Sequence, residues 1–310
     1  MLSRRQLLLA SALLAATRGG TLHAAAPAPR GTALRRPIPA SGEMLPVIGM
    51  GTSRTFDVDA GADAAQPLMA VLETFFANGG QVIDSSPMYG KAETRVGDLL
   101  RSMPERPPLF AATKVWTDGR EAGIAQMEES ARRMAVERFD LIAVHNLVDW
   151  RTQLDTLKGW KEEGKVRYIG ITTSHGRDHA EFLQVMREEP LDFVQFSYNI
   201  ADRRAEEALL PTAADRGIAT MINRPYQRGD LFAATRGAPL PAVATELGCS
   251  SWGQFFLKFI LGHPAVTCVI PATSSPRHMQ DNMQAGFGAL PDAAQREEML
   301  RVFAALRASS

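Results

Sequence analysis

The 310-residue sequence predicts an α/β fold: a single-domain (β/α)8 barrel of the TIM type, preceded by an N-terminal export signal and a linker. Two observations lead to this prediction. Eight short, apolar, β-branched runs alternate with longer amphipathic segments, and most successive runs begin 26 to 35 residues apart, which accommodates one strand, one helix and two loops. A strand that is apolar along its whole length is buried on both faces, as in a parallel sheet covered by helices.

The strand runs extend over most of the chain, and each contains several Val, Ile, Leu or Phe residues. They begin at Val47, Val82, Leu109, Phe139, Val166, Asp192, Ile218 and Thr267. The last step, from 218 to 267, is longer than the others. It predicts a long loop over 224–247, after the seventh strand.

Three segments between the strand runs have helical patterns, over 121–137, 204–217 and 251–262. In the first of them, apolar residues recur every three or four positions, as on one face of a helix. An open, doubly wound sheet is the alternative arrangement of such units. That fold usually carries a G-x-G-x-x-G loop after an early strand. None of the eight runs is followed by one, which favours the closed barrel.

The charges of the chain balance, because 34 Lys and Arg residues face 34 Asp and Glu residues. A chain without a basic excess has no electrostatic reason to bind nucleic acid. The two cysteines, Cys249 and Cys268, are too few for a disulfide framework and lie outside any C-x-x-C or His-rich cluster. We expect each to be a buried free thiol.

The first 26 residues have the pattern of an export signal. The twin arginine Arg4–Arg5 precedes an apolar run of about ten residues, and Ala24–Ala26 provides small residues for cleavage. The pattern predicts a twin-arginine signal peptide over 1–26, a Pro-rich linker over 27–43 and the barrel over 44–310. We therefore expect a periplasmic or otherwise exported protein that uses the twin-arginine export machinery. A membrane anchor is the alternative, but the apolar run is too short to span a bilayer.

Polar residues end several of the apolar runs. Asp84, Lys114 and His145 close the second, third and fourth runs, and Tyr89 follows Asp84 by five residues. In a barrel, the C-terminal strand ends meet at one face, where side chains from different strands form a site. Because a buried unpaired charge is costly, we expect an Asp84–Lys114 ion pair, which by itself can be purely structural. A nearby ammonium lowers a tyrosine pKa, so Lys114 and Tyr89 predict a general acid, with His145 as a hydrogen-bond donor to the same reacting oxygen.

These motifs resemble those of the aldo-keto reductases. The segments VIDSSPMYG, AATKVW and LIAVHN are similar to the family's Asp, Tyr, Lys and His motifs, and LPVIGMGT is similar to its first strand. Further similarities lie in YGKAETRVGDLL, GKVRYIGIT, VQFSYN and VIPATSSPRHMQDNM. The resemblance extends from Leu45 to Asn282, and it depends on the order and spacing of all the motifs together.

The resemblance implies an NAD(P)H-dependent reductase of aldehydes or ketones. Tyr89 would exchange a proton with the carbonyl oxygen, Lys114 and Asp84 would tune it, and His145 would orient the carbonyl. The implied cofactor-binding residues are Gly51, Thr52, Thr172, Thr173, Gln195, Asn223, Arg224, Thr273, Ser274, Arg277 and Asn282. Apolar side chains at barrel loops suit a small carbonyl substrate, and the candidate walls are Met88, Trp116 and Trp150.

Two departures from the family pattern lie near the implied nicotinamide site. Thr172–Thr173 replaces the usual Ser-Asn after the fifth strand, which removes an amide beside Gln195, the implied carboxamide ligand. Asn223 stands where the family has an aromatic residue that stacks on the nicotinamide, and Tyr226 is the nearest substitute. Both changes imply fewer contacts with the nicotinamide.

The last segment bears on the choice of cofactor. Ala272 and His278 stand where the family often has the Lys and Arg that bind the 2′-phosphate of NADP. Thr273, Ser274 and Arg277 remain, and hydroxyls, backbone amides at a helix start and one arginine still bind a phosphate. NADPH is the expected cofactor, with NADH as the alternative.

Two other interpretations stay open. Some relatives of this fold, the potassium-channel β subunits, act mainly as binding partners that hold the cofactor and turn over slowly. The second interpretation is a metal site, because His175 and His179 are spaced i, i+4 at a predicted helix start. No third ligand stands out nearby in the sequence, so we predict no metal. We expect a monomer.

Overall fold

The computed structural model describes residues 31–174 and 176–308, and ten strands lie within them. The strands are β1 (Arg35–Pro37), β2 (Met44–Pro46), β3 (Met50–Gly51), β4 (Val82–Asp84), β5 (Phe110–Val115), β6 (Phe139–His145), β7 (Val166–Thr172), β8 (Phe193–Ser197), β9 (Ala219–Asn223) and β10 (Cys268–Val269). Each apolar run of the sequence contains one of the strands β3 to β10, so the predicted strands are confirmed.

Strands β3 to β10 form one parallel sheet in which neighbours in the chain are neighbours in the sheet. The sheet closes on itself, because Ile48 pairs with Val269 and Gly51 pairs with Ala272. This closure confirms the barrel, and the open doubly wound alternative is wrong. Strands β4, β5 and β8 are buried along their whole length, which explains their continuous apolar sequences.

Helices cover the outside of the barrel, and at least one follows every barrel strand. They are α1 (Leu68–Ala77), α2 (Ala92–Ser102), α3 (Arg120–Met134), α4 (Trp150–Glu162), α5 (His179–Glu188), α6 (Leu209–Arg216), α7 (Leu231–Ala234), α8 (Ala242–Glu246), α9 (Trp252–Leu261), α10 (Pro276–Gln284) and α11 (Ala293–Ala308). Helices α3, α6 and α9 confirm the three predicted helical segments.

The segment over 224–247 contains short helices where the sequence predicts a long loop. A 3-10 turn spans Gln227–Gly229, and α7 and α8 follow it. Leu231 and Val243 are buried against the core, so this segment has apolar anchors of its own. The prediction is corrected: the segment is a packed wall beside the C-terminal end of the barrel.

An N-terminal hairpin closes the opposite end of the barrel. Strands β1 and β2 pair antiparallel, and Ile38 and Leu45 on this hairpin are buried. They belong to the same cluster as Phe110, Tyr168 and Phe193, whose ring centroids lie 5.6 to 6.0 Å apart. Packed side chains therefore fill the bottom of the barrel.

Polar contacts also hold this hairpin. Arg36 donates to three backbone carbonyls at and beyond the end of α9, and Glu43 forms an ion pair with Arg167. The predicted linker over 27–43 is therefore wrong in its second half, and the folded domain begins at the hairpin rather than near residue 44. Pro37 favours a linker in the sequence, but a two-stranded edge tolerates a residue without an N–H.

Residues 1–30, with the predicted signal peptide and the start of the predicted linker, lie outside the described residues. Within the described ranges, no helix has the length and apolar character needed to cross a membrane. Cys249 and Cys268 are buried free thiols, as predicted.

Candidate active site

The C-terminal ends of the barrel strands bring Lys114 and Asp84 together. Nζ of Lys114, near the end of β5, lies 2.8 Å from both carboxylate oxygens of Asp84, the last residue of β4. It also donates to the carbonyl of Ser85 at 2.6 Å. Lys114 is completely buried and Asp84 is 3% exposed, so the predicted ion pair is confirmed.

The ion pair keeps a positive charge inside the barrel. Burial of Lys114 favours the neutral amine, but the charge of Asp84 and its hydrogen bonds to the ammonium help to raise the pKa of Lys114 above its ordinary value. The lysine is therefore an ammonium at neutral pH. A buried ion pair can be merely structural, so its role depends on the side chains that face it.

Gln195 connects Asp84 to the neighbouring strands. Its Nε2 donates to Oδ1 of Asp84 at 3.0 Å, and its Oε1 accepts from Oγ1 of Thr172 at 2.9 Å. The resemblance implies that Gln195 binds the nicotinamide carboxamide. The two N–H groups of Nε2 face Asp84 and the sulfur of Met221, so a further contact with the carboxamide falls to the second lone pair of Oε1.

Tyr89 lies on the loop after β4, next to the ion pair. The centroid of its ring is 5.3 Å from Nζ of Lys114. Gly90, the next residue in the chain, has a φ of +57°. A Cβ at this position would lie 2.2 Å from Oδ1 of Asp57. The same oxygen accepts the backbone N–H of Lys91 at 2.9 Å. The glycine is therefore required by its left-handed backbone and by the contact that fixes the Tyr89 loop.

Burial determines the protonation state of Tyr89. It raises the pKa of the hydroxyl above its ordinary value, and the charge of Lys114 lowers it by less. The prediction that Lys114 brings this pKa down is wrong in its net direction, because the sequence reveals the neighbouring charge and not the loss of hydration. The hydroxyl is protonated at neutral pH and is available as a proton donor.

His145 ends β6 on the same face of the barrel. Its Nδ1 lies 3.0 Å from Oγ of Ser86, and its ring centroid lies 5.9 Å from that of Tyr89 and 6.5 Å from that of Trp116. Burial, together with the charge of Lys114, lowers the pKa of His145 to about 3. The imidazole is neutral at physiological pH and has one ring N–H to donate.

A cavity of about 1230 Å³ opens above these side chains, and Asp84, Tyr89 and His145 are part of its wall. Five arginines line the same cavity: Arg54, Arg177, Arg224, Arg228 and Arg277. In the described part of the chain, none of the five forms an ion pair with a carboxylate. Burial and the neighbouring arginines lower the pKa of Arg224 to about 10. The cavity is electrostatically suited to an anionic ligand.

Most of the predicted cofactor-binding residues line this cavity. Those that do are Gly51, Thr52, Thr172, Gln195, Asn223, Arg224, Thr273, Arg277 and Asn282. Thr173 is buried, and its hydroxyl donates to the carbonyl of Arg177 at 2.9 Å. Ser274 is exposed beside the cap of α10, where Oγ of Ser275 accepts the N–H of His278.

The polar groups of Asn223 and Tyr226 form hydrogen bonds within the protein. Oδ1 of Asn223 accepts from Ser197 at 2.7 Å, and its Nδ2 donates to the carbonyl of Thr173 at 3.0 Å. The hydroxyl of Tyr226 donates to Oδ1 of Asn282 at 2.7 Å, which ties the loop after β9 to α10. Tyr226 therefore has a positioning contact, beyond the stacking role considered from the sequence.

Of the three predicted substrate-contacting residues, one lines the cavity and a second lies beside His145. Met88 lines it, and Trp116 lies beside His145 with 41% of its surface exposed. Trp150 is buried, and its Nε1 donates to Glu181 at 2.9 Å. The prediction is wrong for Trp150, because this residue begins α4, bonds to Glu181 of α5 and does not line the cavity.

Several residues of the site were not predicted from the sequence. Ser86 contacts His145, and Arg54 and Arg177 line the cavity. The two arginines follow β3 and β7 within a few residues, and that position after a strand end was a usable signal. Ser86 gave no such signal, because its contact with His145 depends on how the loop turns after β4.

No group of three or more His, Cys, Asp or Glu residues in the described ranges is arranged to hold a metal ion. His179 begins α5, and His175 lies outside the described residues. The alternative of a metal bound by this histidine pair therefore lies partly outside the described residues.

The fold and the site define a closed parallel barrel with titratable side chains at its strand ends and an arginine-lined cavity beside them. The sequence matches the model of the aldo/keto reductase family over residues 47–296. It is 27% identical to the aldo-keto reductase YhdN of Bacillus subtilis over 197 residues, 59% of each chain. It is 27% identical to the methylglyoxal reductase YeaE of Escherichia coli over 248 residues, which covers 77% of this chain and 84% of that relative.

The fold also matches solved structures. An aldo-keto reductase from Klebsiella pneumoniae in complex with NADPH gives a TM-score of 0.69 at 22% identity, covering 84% of this chain and 92% of that chain. The family match covers most of the sequence. The chain belongs to the aldo/keto reductase family, and it is an NAD(P)H-dependent oxidoreductase.

Proposed function

We propose that this protein reduces aldehyde or ketone groups with NADPH and that Tyr89 is the proton donor. The position of Tyr89 carries the proposal: its ring lies 5.3 Å from Nζ of Lys114 and packs edge-on against His145, on the wall of one cavity. A buried, protonated tyrosine beside a fixed ammonium and a neutral imidazole suits acid catalysis at a carbonyl oxygen. A purely structural ion pair gives no reason for this arrangement.

Each side chain has a distinct part in the proposed reaction. Tyr89 gives its proton to the oxygen as negative charge develops there. The ammonium of Lys114 stabilises the tyrosinate that is left, and Asp84 holds that ammonium in place. Neutral His145 donates a hydrogen bond to the same oxygen. When bound, a reduced nicotinamide supplies the hydride to the carbonyl carbon.

The cavity fits a phosphate-bearing dinucleotide. Its arginines have no carboxylate partners among the described residues, and arginine binds phosphate through charge-assisted hydrogen bonds. We infer that Arg224 contacts the pyrophosphate and that Thr273, Ser274 and Arg277 hold the 2′-phosphate beside the start of α10. This assignment favours NADPH over NADH, and the NADPH in the Klebsiella pneumoniae structure supports it.

Binding of the two nucleotides tests this assignment. The variant Arg277→Ala should weaken NADPH binding about tenfold or more, since a hydrogen bond to a charged group is lost. Binding of NADH, which lacks the 2′-phosphate, should change little. Equal losses for both nucleotides, measured by fluorescence titration, would place Arg277 elsewhere on the cofactor.

The substrate is expected to be a small carbonyl compound. Met88 lines the cavity and Trp116 lies beside His145, and 39% and 41% of their surfaces are exposed. An apolar or weakly polar carbonyl compound fits beside them. The relative named methylglyoxal reductase makes short 2-oxoaldehydes the first candidates, followed by aromatic aldehydes and quinones.

A matched pair of tyrosine variants tests the proposed function. NADPH consumption is followed across these carbonyls for the wild type, Tyr89→Phe and Tyr168→Phe. Loss of the Tyr89 hydroxyl should reduce kcat by about 10² to 10⁴. The Tyr168 hydroxyl lies at the bottom of the barrel, 2.7 Å from Oγ of Ser41, so Tyr168→Phe should keep most of the rate. An active Tyr89→Phe variant would end the proposal.

A low-turnover protein that holds the nucleotide for binding or sensing is the alternative function. The internal hydrogen bonds of Gln195 and Asn223 favour it, because they leave a nicotinamide with fewer free partners. Tight NADPH binding without oxidation by any carbonyl of the panel would support this alternative. Turnover that depends on Tyr89 would exclude it.

We also propose that the protein is exported by the twin-arginine route and works in the periplasm. The support is the Arg4–Arg5 pair before an apolar run in the sequence. This route carries folded proteins, so the cofactor can be loaded before export, and slow nucleotide release is expected. Replacement of both arginines by lysine should retain the protein in the cytoplasm on fractionation. Rapid nucleotide exchange by the mature protein would contradict the slow-release part.

A further inference from the structure

Ser86 places its hydroxyl against the imidazole of His145. The distance from its Oγ to Nδ1 is 3.0 Å, Ser86 is completely buried and His145 is 6% exposed. The same Oγ accepts the backbone N–H of Met88 at 3.3 Å. The imidazole is packed against the rings of Tyr89 and Trp116, so its orientation is fixed on several sides.

The direction of the Ser86–His145 hydrogen bond follows from counting donors. A neutral imidazole has one N–H, and the serine hydroxyl has one proton. If Nδ1 were the donor, the serine proton would need another acceptor, and none of the described residues offers one. A buried donor without a partner costs about 1 to 3 kcal/mol. The arrangement that gives the serine proton an acceptor has the Ser86 hydroxyl donating to Nδ1, with the ring proton on Nε2.

We propose that Ser86 is a positioning residue that holds His145 in the Nε2–H tautomer. Because Nδ1 faces Ser86, Nε2 is the ring nitrogen left for the cavity, and its N–H donates to the oxygen of the carbonyl. The opposite tautomer presents a lone pair at this point, which repels the carbonyl oxygen. The consequence for catalysis rests on the proposed function, whereas the tautomer is a property of the protein alone.

The neighbouring serine has a different role. Ser85 Oγ lies 2.9 Å from Oγ1 of Thr52, and the Ser85 carbonyl accepts from Lys114. The segment Asp84-Ser85-Ser86 therefore positions two different groups of the site. Asp84 and Ser85 hold the ammonium beneath Tyr89, and Ser86 sets the imidazole beside it.

Nitrogen NMR of the histidine ring tests the tautomer directly. Long-range proton–nitrogen correlation spectra of the ¹⁵N-histidine-labelled mature protein at pH 7, with His145 assigned by its loss in His145→Gln, distinguish the two neutral forms. The wild type should show Nε2–H. Ser86→Ala should shift His145 toward Nδ1–H or a mixture, and Ser86→Thr, which keeps the hydroxyl, should retain Nε2–H. An Nδ1–H signal in the wild type, or an unchanged signal in Ser86→Ala, would overturn the inference.

Steady-state kinetics supply the second readout. Ser86→Ala should lower kcat about tenfold or more with little change in KM, because a donor aligned with the transition state is lost. Ser86→Thr should recover most of the rate. Ser130→Ala is the control: it removes an equally buried hydroxyl, bonded to Glu93 outside the site, and should leave kcat unchanged.

The outcomes separate this inference from the proposed function. An Nε2–H wild type that reduces no carbonyl compound leaves the tautomer established and ends the proposed function. A Ser86→Ala variant that keeps the full rate, with Ser130→Ala also active, contradicts the positioning role. A Ser86→Ala variant that is slow but keeps the Nε2–H tautomer of His145 also contradicts the positioning role.

Discussion

Nζ of Lys114 lies 2.8 Å from both carboxylate oxygens of Asp84, at a point where the two side chains are 0% and 5% exposed. The pair has two separable effects. It is stable only as a pair, because either charge alone would be buried without a partner. It also keeps a positive charge beside the ring of Tyr89. Mutations distinguish the effect on folding from the effect on catalysis.

Removal of the ammonium alone should be more damaging than removal of both charges. Lys114→Met leaves the Asp84 carboxylate buried and should lower the free energy of unfolding by about 3 to 5 kcal/mol. The double variant Asp84→Asn/Lys114→Met should regain much of that stability in urea denaturation and none of the reductase activity. A double variant as unstable as the single one would show that the two charges are not coupled.

His145 should make the protein less stable in acid. Its pKa is about 3 in the folded chain and about 6.5 in an unfolded chain, so the unfolded state binds a proton first as the pH falls. The stability contributed by the neutral imidazole is complete above pH 6.5 and is lost progressively between pH 6.5 and 3. From pH 7 to pH 5 the loss should be about 2 kcal/mol. The variant His145→Gln lacks this pH-dependent contribution to stability. Equal acid sensitivity of the wild type and the variant would contradict a buried neutral histidine.

Gly90 should resist substitution more than other glycines with positive φ. Gly90→Ala combines a left-handed backbone with a Cβ placed 2.2 Å from the Asp57 carboxylate, and it should displace the Tyr89 loop and reduce kcat. Gly248 is the matched control, with a φ of +69° and no atom near the added Cβ. Gly248→Ala should cost only the backbone strain, about 1 to 2 kcal/mol, and should keep the rate. Similar kinetics for the two variants would contradict the predicted clash between the added Cβ at position 90 and Asp57.

The hairpin at the bottom of the barrel should be needed for stability. A chain that starts at residue 31 keeps the hairpin, whereas one that starts at residue 44 loses Ile38 and the contacts of Arg36. The shorter chain should lose at least about 3 kcal/mol, from one fully buried side chain and several hydrogen bonds. Equal midpoints in thermal unfolding would mean that 31–43 is a linker after all.

The strand ends explain why so much of this site was predictable. Asp84, Lys114 and His145 each close an apolar run, and parallel strands in a barrel carry such residues to one face. The contacts between loops were not predictable in this way. The Ser86–His145 hydrogen bond and the contact of Trp150 with Glu181 depend on the directions of loops and helices, which the spacing of residues in the sequence does not reveal. The pKa of Tyr89 was misjudged for a related reason, because burial has no signature in the local sequence.

The dependence of carbonyl reduction on pH tests the central claim most directly. With Tyr89 as the proton donor and its pKa above the ordinary value of about 10, kcat/KM should stay level from about pH 5.5 to 9 and fall only above about pH 10. His145, neutral throughout this range, should add no break between pH 5.5 and 8. A level profile with a single alkaline fall, and no comparable activity in Tyr89→Phe, is the predicted result. A fall centred between pH 6 and 8 would assign the proton to another group and contradict the account.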